Sequence, residues 1–177
     1  MFLRTLELKN FRNYKEVKLS FDKSTILIIG DNGLGKTNLL EAIYFVSSGK
    51  SHRTNSQDDM IRWGSDYALI RAFTESMDTN GISQKINHSI NYKKNLIELE
   101  LNPSNKIKIR LNKVALKKKS DFVSILPSVI FSPDDLSIIK DGPLLRRSWM
   151  DNLLEKIYPS YCSLCLKYQK ILNQRNS

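Results

Sequence analysis

Cysteine, histidine, proline and glycine are all scarce in this chain: two, two, five and seven among 177 residues. Cys162 and Cys165 have C-x-x-C spacing but no second pair, which excludes a four-ligand zinc site. Residues 1–20 hold no secretory pattern, because charges interrupt every apolar stretch, and so no disulfide framework is expected either. His52 has no metal-spaced cluster around it. No apolar run approaches the length that crosses a bilayer. The chain is therefore expected to be soluble and cytoplasmic. Acids are short as well: 18 against 28 Lys plus Arg, a net charge of +10. That excess favours an anionic partner, whether nucleic acid, nucleotide or acidic lipid. What is present in quantity is apolar: 41% of the residues, enough for a real core.

The charge is unevenly spread. Residues 61–120 carry twelve bases and five acids, and the stretch from Lys106 to Lys119 holds seven bases and no acid. Within it Lys106, Lys108 and Arg110 alternate with Ile107, Ile109 and Leu111, which predicts a strand with one basic and one buried row. Such a row, with Lys113 beyond it, is a candidate DNA-backbone contact that reads no sequence. The alternative is a solvated strand face.

Alternation also predicts strands in the first 21 residues, where Leu6 and Leu8 flank Glu7 and Val17, Leu19 and Phe21 flank Lys18 and Ser20. Ile26 to Ile29 is a continuous apolar run, the pattern of a strand buried on both faces. From Asn38 the period becomes helical, through Leu39, Leu40, Ile43 and Tyr44, until Ser47-Ser48-Gly49. Residues 67–112 predict several strands with turns at Asp78–Gly81 and Asn102–Asn105, and Ser128 to Phe131 a further short one. Helical pattern follows Pro133, near Leu144–Ile157 and again from Tyr161 onwards.

Three of the seven glycines fall inside one octapeptide. Gly30-Asp31-Asn32-Gly33-Leu34-Gly35-Lys36-Thr37 fits G-x-x-x-x-G-K-[ST], with an apolar run before it and an amphipathic helix after it. Glycines let successive N–H groups turn inward around a phosphate, and the helix start adds its dipole and free N–H groups. Lys36 is placed to reach β- and γ-phosphates, and the Thr37 hydroxyl to supply one Mg²⁺ ligand. The pattern predicts ATP with Mg²⁺ as the ligand.

Several segments, in order along the chain, resemble one family. Glu7-Leu8-Lys9-Asn10-Phe11-Arg12-Asn13-Tyr14, the octapeptide, and Asn38-Leu39-Leu40-Glu41-Ala42-Ile43-Tyr44 are similar to the start of the RecF family, relatives of the SMC ATPases. Gly49-Lys50-Ser51-His52-Arg53-Thr54, Phe131-Ser132-Pro133-Asp134-Asp135-Leu136, Gly142-Pro143, Arg146-Arg147, Met150-Asp151 and the stretch from Tyr168 to Asn176 continue the likeness. Asp141 and Trp149 depart from it mildly.

The resemblance implies an α/β fold: a P-loop ABC-type ATPase core with an antiparallel β-subdomain, then the start of a helical second lobe. The ATP-binding lobe would span residues 1–131, with the β-subdomain near 67–112, and the truncated helical lobe residues 132–177. It implies an ATP-dependent homodimer that binds DNA near single-strand gaps and, with RecO and RecR, helps load recombinase in DNA replication, recombination, repair and the SOS response. It makes Arg12 a candidate nucleotide contact and Arg53 a candidate for nucleotide or DNA. The family's ABC signature and Walker B acids have no counterpart here, so the chain resembles an N-terminal portion and is expected not to hydrolyse ATP alone. Asp134 and Asp135 stand where a Q-loop would, but acids directly after a proline are ordinary helix-start residues, and the N-cap is the reading favoured for them. Arg146 and Arg147 suit DNA, a partner or water. Another SMC-like P-loop ATPase, a small kinase or a non-catalytic truncated P-loop protein are the alternatives.

Overall fold

The computed structural model describes residues 2–77, 92–103, 107–116, 125–133, 142–158 and 160–176. The turn expected at Asp78–Gly81, the end of the one at Asn102–Asn105, and Lys106, Asp134 and Asp135 lie outside these residues.

Strands β1 (Phe2–Phe11) and β2 (Tyr14–Ser20) form a hairpin, followed by helix α1 (Lys36–Ser48) and a 3-10 turn at Asp58–Met60. Then come β3 (Ala68–Met77), β4 (Tyr92–Leu101), β5 (Lys108–Leu111) and β6 (Val114–Ala115). All six pair antiparallel in one sheet, ordered β2-β1-β3-β4-β5-β6. The antiparallel region expected near residues 67–112 thus shares its sheet with the first hairpin. The β5–β6 turn runs through Asn112 and Lys113, both with left-handed backbone (φ 50 and 72), the pairing that a two-residue hairpin turn requires.

Period-two alternation puts Leu6 and Leu8 of β1, Ile70 and Ala72 of β3, and Ile97, Leu99 and Leu101 of β4 on one fully buried face. Onto that cluster α1 brings Leu39, Ala42, Phe45 and Val46, which recur at helical spacing. Each large side chain removed from water there contributes about 1.5–3 kcal/mol. Gly49 ends α1 in the left-handed conformation, its N–H donating to the Phe45 carbonyl at 2.7 Å.

Two expected strands are not formed. Residues 26–29 and 128–131 have no ladder partner among the described residues, and Leu27, Ile29, Val129 and Phe131 are 80% or more exposed. A continuous apolar run specifies a strand only where a neighbouring strand takes up its backbone N–H and C=O groups.

The contacts divide the chain into two compact units, Met1–Ser128 and Val129–Ser177. The second holds α2 (Pro143–Ile157), with proline in its first turn, and α3 (Tyr161–Asn176). The Tyr161 hydroxyl donates to Asp151 Oδ1 at 2.7 Å and ties the two helices. No helix among the described residues is long and apolar enough to cross a membrane.

Candidate functional site

The octapeptide leads directly into α1. Gly33 (φ 85) and Gly35 (φ 104) take backbone conformations that side chains disfavour, and Gly35 is the residue that opens the helix. No side chain caps that helix start and no acid sits in its first turn, so its N–H groups and dipole face outward unopposed. Lys36 Nζ donates to the carbonyls of Gly30 (2.5 Å) and Asp31 (2.7 Å), which curls the loop around its own ammonium. Asp31, Asn32 and Leu34 are exposed along the loop, and Thr37 is exposed on the first turn of α1. Backbone donors, one lysine and one hydroxyl converging on an uncapped helix start suit a polyphosphate with a divalent cation. Thr37 is the residue that would hold that cation. Among the described residues no group of three or more His, Cys, Asp or Glu forms a metal cluster.

The β1–β2 turn braces this loop from behind. Asn13 Nδ2 donates to the Leu34 carbonyl (3.0 Å), and the Tyr14 hydroxyl to the Gly35 carbonyl (3.1 Å). A Cβ on Gly35 would meet the Asn13 side chain at 2.6 Å, so the loop and the turn are in van der Waals contact at a position only glycine fits. Asn38, from the first turn of α1, donates to Asn13 Oδ1 at 2.9 Å.

Arg12, a candidate nucleotide contact, is held between α1 and the 3-10 turn. Its Nε and Nη2 form a two-pronged pair with Glu41 of α1 (2.9 and 2.7 Å), and its Nη1 donates to the Asp59 carbonyl (2.6 Å). Arg53 reaches the same carboxylate at 3.5 Å and donates to Asn38 Oδ1 at 2.7 Å. Ser51 also donates to Glu41, at 2.5 Å, while its hydroxyl accepts from the N–H groups of Arg53 and Thr54. Burial alone would raise the Glu41 carboxyl. The Arg12 and Ser51 hydrogen bonds and the Arg12 and Arg53 charges outweigh it and hold the group below the usual carboxylate range.

Glu41, Ser51, Asn13 and Asn38 are therefore site-building residues that pattern reading did not single out. One signal was available for Glu41: it sits in the helical stretch that also carries Leu39, Ala42 and Phe45, and its side chain is fully buried. An acid on such a face is costly unless paired.

Lys108 and Arg110 occupy the opposite face of the sheet from the core and are not bare. Across the register, Lys18, Glu7, Arg71, Glu98 and Arg110 stand side by side on β2, β1, β3, β4 and β5. Lys18 pairs with Glu7 at 2.6 Å and Arg71 with Glu98 at 2.8 Å. Lys108 pairs with Glu100 at 2.8 Å, and Arg110 lies 3.9 Å from the same carboxylate. Hydrogen bonds from Lys108 and Asn102, with the nearby charges, hold Glu100 below its ordinary value against the smaller effect of burial. Lys113 stands in the β5–β6 turn. Arg146 and Arg147 are exposed on α2, in the second unit.

The AAA ATPase domain family matches residues 1–159. The "DNA replication and repair protein RecF" of Bacillus thuringiensis (strain Al Hakam) and that of Bacillus cereus (strain B4264) are each 40% identical over 177 residues, 99% of this chain. The chain spans 43% of the length of these curated relatives. A solved structure of the recombination mediator protein RecF-ATP in the RecFOR pathway superposes with a TM-score of 0.83 at 32% identity, covering 99% of this chain and 43% of that one. A structure from work on ATP-driven dimerization and DNA-stimulated activation of SMC ATPases gives 0.64 at 27% identity, covering 86% and 99%.

Proposed function

Because the chain belongs to the AAA ATPase domain family and is similar to RecF proteins along nearly its whole length, we propose that it is the ATP-binding N-terminal part of a RecF-like DNA replication and recombinational repair protein. The observation that carries this reading is the uncapped start of α1 behind Gly30–Thr37, with Lys36 turned onto the loop. In this reading residues 1–131 form the nucleotide lobe and residues 132–177 begin a helical lobe. The loop amides and Lys36 bind the β- and γ-phosphates of ATP, and Thr37 supplies a ligand to Mg²⁺. Equilibrium titration of the chain with Mg-ATP tests it. Lys36→Ala is expected to abolish binding, because it removes the charge set against the phosphates; unchanged affinity in that variant would overturn the reading.

The wider activity follows from the same reading. The protein acts in the cytoplasm as an ATP-dependent homodimer at junctions of single- and double-stranded DNA, and works with RecR and RecO in loading recombinase. In-line phosphoryl transfer needs a positioned water and charge stabilisation at the γ-phosphoryl. The signature motif and Walker B acids that supply these in the RecF family have no counterpart in this sequence, so it holds ATP without turning it over alone. Steady-state phosphate release that is present in the chain and lost in Lys36→Ala would refute this. Arg53, Lys106, Lys108, Arg110 and Lys113 are the proposed DNA contacts, supported by the basic balance of residues 61–120. Changing the last four to alanine should weaken DNA binding and flatten its salt dependence. A variant that keeps both affinity and slope leaves the row as solvated surface. Similarity to SMC ATPases supports a second reading, another SMC-like ATPase, though at lower identity.

A further inference from the structure

Glu41 stands at the crossing of three segments, and its fully buried carboxylate serves two guanidiniums. Oε1 accepts from Arg12 Nη2 and Ser51, and Oε2 accepts from Arg12 Nε with Arg53 beside it. The contacts close into a ring. From Glu41 it passes through Arg12 into the β1–β2 turn, from Asn13 to Asn38, and from Asn38 through Arg53 back to Glu41. Asn13 also holds the Leu34 carbonyl, so the ring grips the phosphate-binding loop at the start of α1.

The backbone shows how firmly this grip is built. Arg12 has a left-handed φ of 52, a conformation that a non-glycine residue disfavours and that persists only where the surroundings over-determine it. Here the surroundings are the Glu41 carboxylate, the Asp59 carbonyl, and the Arg12 N–H bond to the Met60 carbonyl at 2.8 Å. Arg53 is the looser member, with 42% of its side chain exposed and its short bond made to Asn38, the residue after Thr37.

We propose that Glu41 is a positioning residue of the nucleotide site: through Arg12 it fixes the β1–β2 turn against α1, and so holds the loop in its phosphate-binding shape. The inference rests on the nucleotide reading above. Its sign separates it from plain electrostatics. Glu41 carries a negative charge one helical turn from Thr37, so its loss should tighten binding of a polyanion if charge alone mattered. Loss of positioning weakens binding instead.

The experiment is Mg-ATP titration of the 177-residue chain as wild type, Glu41→Gln, Arg12→Gln and the double variant, each well below its melting temperature. Glu41→Gln should weaken binding about tenfold, a magnitude ordinary for a residue coupled to a site it does not touch. The double variant should bind no more weakly than Arg12→Gln alone, because Glu41 acts through Arg12. Affinity that is unchanged or tighter in Glu41→Gln overturns the proposal, as does strict additivity in the double variant. A role confined to stability would lower the melting temperature and leave affinity intact, which also overturns it. Should Glu41→Gln not fold, the double variant, with its neutral amide pair, is compared with Arg12→Gln: equal affinity supports the proposal and a further loss refutes it. Failure of the wild type to bind ATP removes the nucleotide reading itself, and the proposal with it.

Discussion

Two sets of ion pairs in this protein use the same residue types and differ in nearly everything else. Behind the phosphate loop, Arg12 and Glu41 form a two-pronged pair in which the carboxylate is wholly out of water and the arginine nearly so, at 18% side-chain exposure. On the outer face of the sheet, Lys18, Glu7, Arg71, Glu98 and Arg110 alternate in sign across five strands, and Lys18 keeps 68% and Arg71 44% of its side chain in solvent. Solvent screening makes the second set individually weak, about 0.2–1 kcal/mol per cross-strand pair. Burial makes the first set unforgiving, because either partner left alone is an uncompensated charge in the interior. Charge count alone therefore says little about where charge matters here; the surroundings of each carboxylate decide it.

Breaking the buried pair gives the largest expected effect. Arg12→Ala should destabilise the first unit by about 3–5 kcal/mol, read as a lowered urea midpoint, since Glu41 would lose its main partner without reaching water. A loss below about 1 kcal/mol would put this pair in the same class as the outer ladder.

Acid sharpens the contrast. Its partners hold the Glu41 carboxyl below the usual carboxylate range in the folded chain, so its contribution is fully present above the ordinary value and is lost as pH falls through the depressed folded one. Melting curves taken from neutral pH downwards should show this loss in the wild type and a shallower one in Arg12→Ala. Equal slopes in both would mean that Glu41 is not held down by Arg12.

The smallest effect belongs to the ladder. Lys18→Gln should cost no more than about 1 kcal/mol, and most of that difference should vanish in molar salt. A larger, salt-insensitive loss would show the sheet's outer face to be tighter than its exposure indicates.

The same contrast explains what the sequence could and could not disclose. Gly30–Thr37 is legible because the pattern is local: loop, lysine, hydroxyl and helix start are contiguous, and α1 opens at Lys36. The antiparallel strands and the helix after the loop are legible by period. The Arg12–Glu41 pair is not, because it joins residues 29 positions apart and depends on how the first hairpin docks on α1. The stretch from Lys106 to Lys119 discloses its own charge but not that of its neighbours. It has no acids of its own, yet β4 sets Glu98 and Glu100 directly opposite Arg110 and Lys108. The run from Ile26 to Ile29 carries the composition of a buried strand but finds no ladder partner among the described residues, and composition cannot report a neighbour.

The strand order has a kinetic consequence. Four of the five pairings join strands that follow one another in the chain, whereas β1 with β3 brings Leu6 beside Ala72 across everything between them. Local hairpins close in microseconds, but a pairing of distant segments waits on loop closure. That one loop contains β2, the phosphate-binding octapeptide, all of α1 and residues 51–60. Arg12 and Glu41 both lie within reach of its closing seam: Arg12 directly follows β1, and α1 packs on the sheet that the pairing completes. The candidate site is therefore assembled by the slowest step of the first unit, and any nascent chain that has its hairpins but lacks this closure carries the octapeptide without its brace.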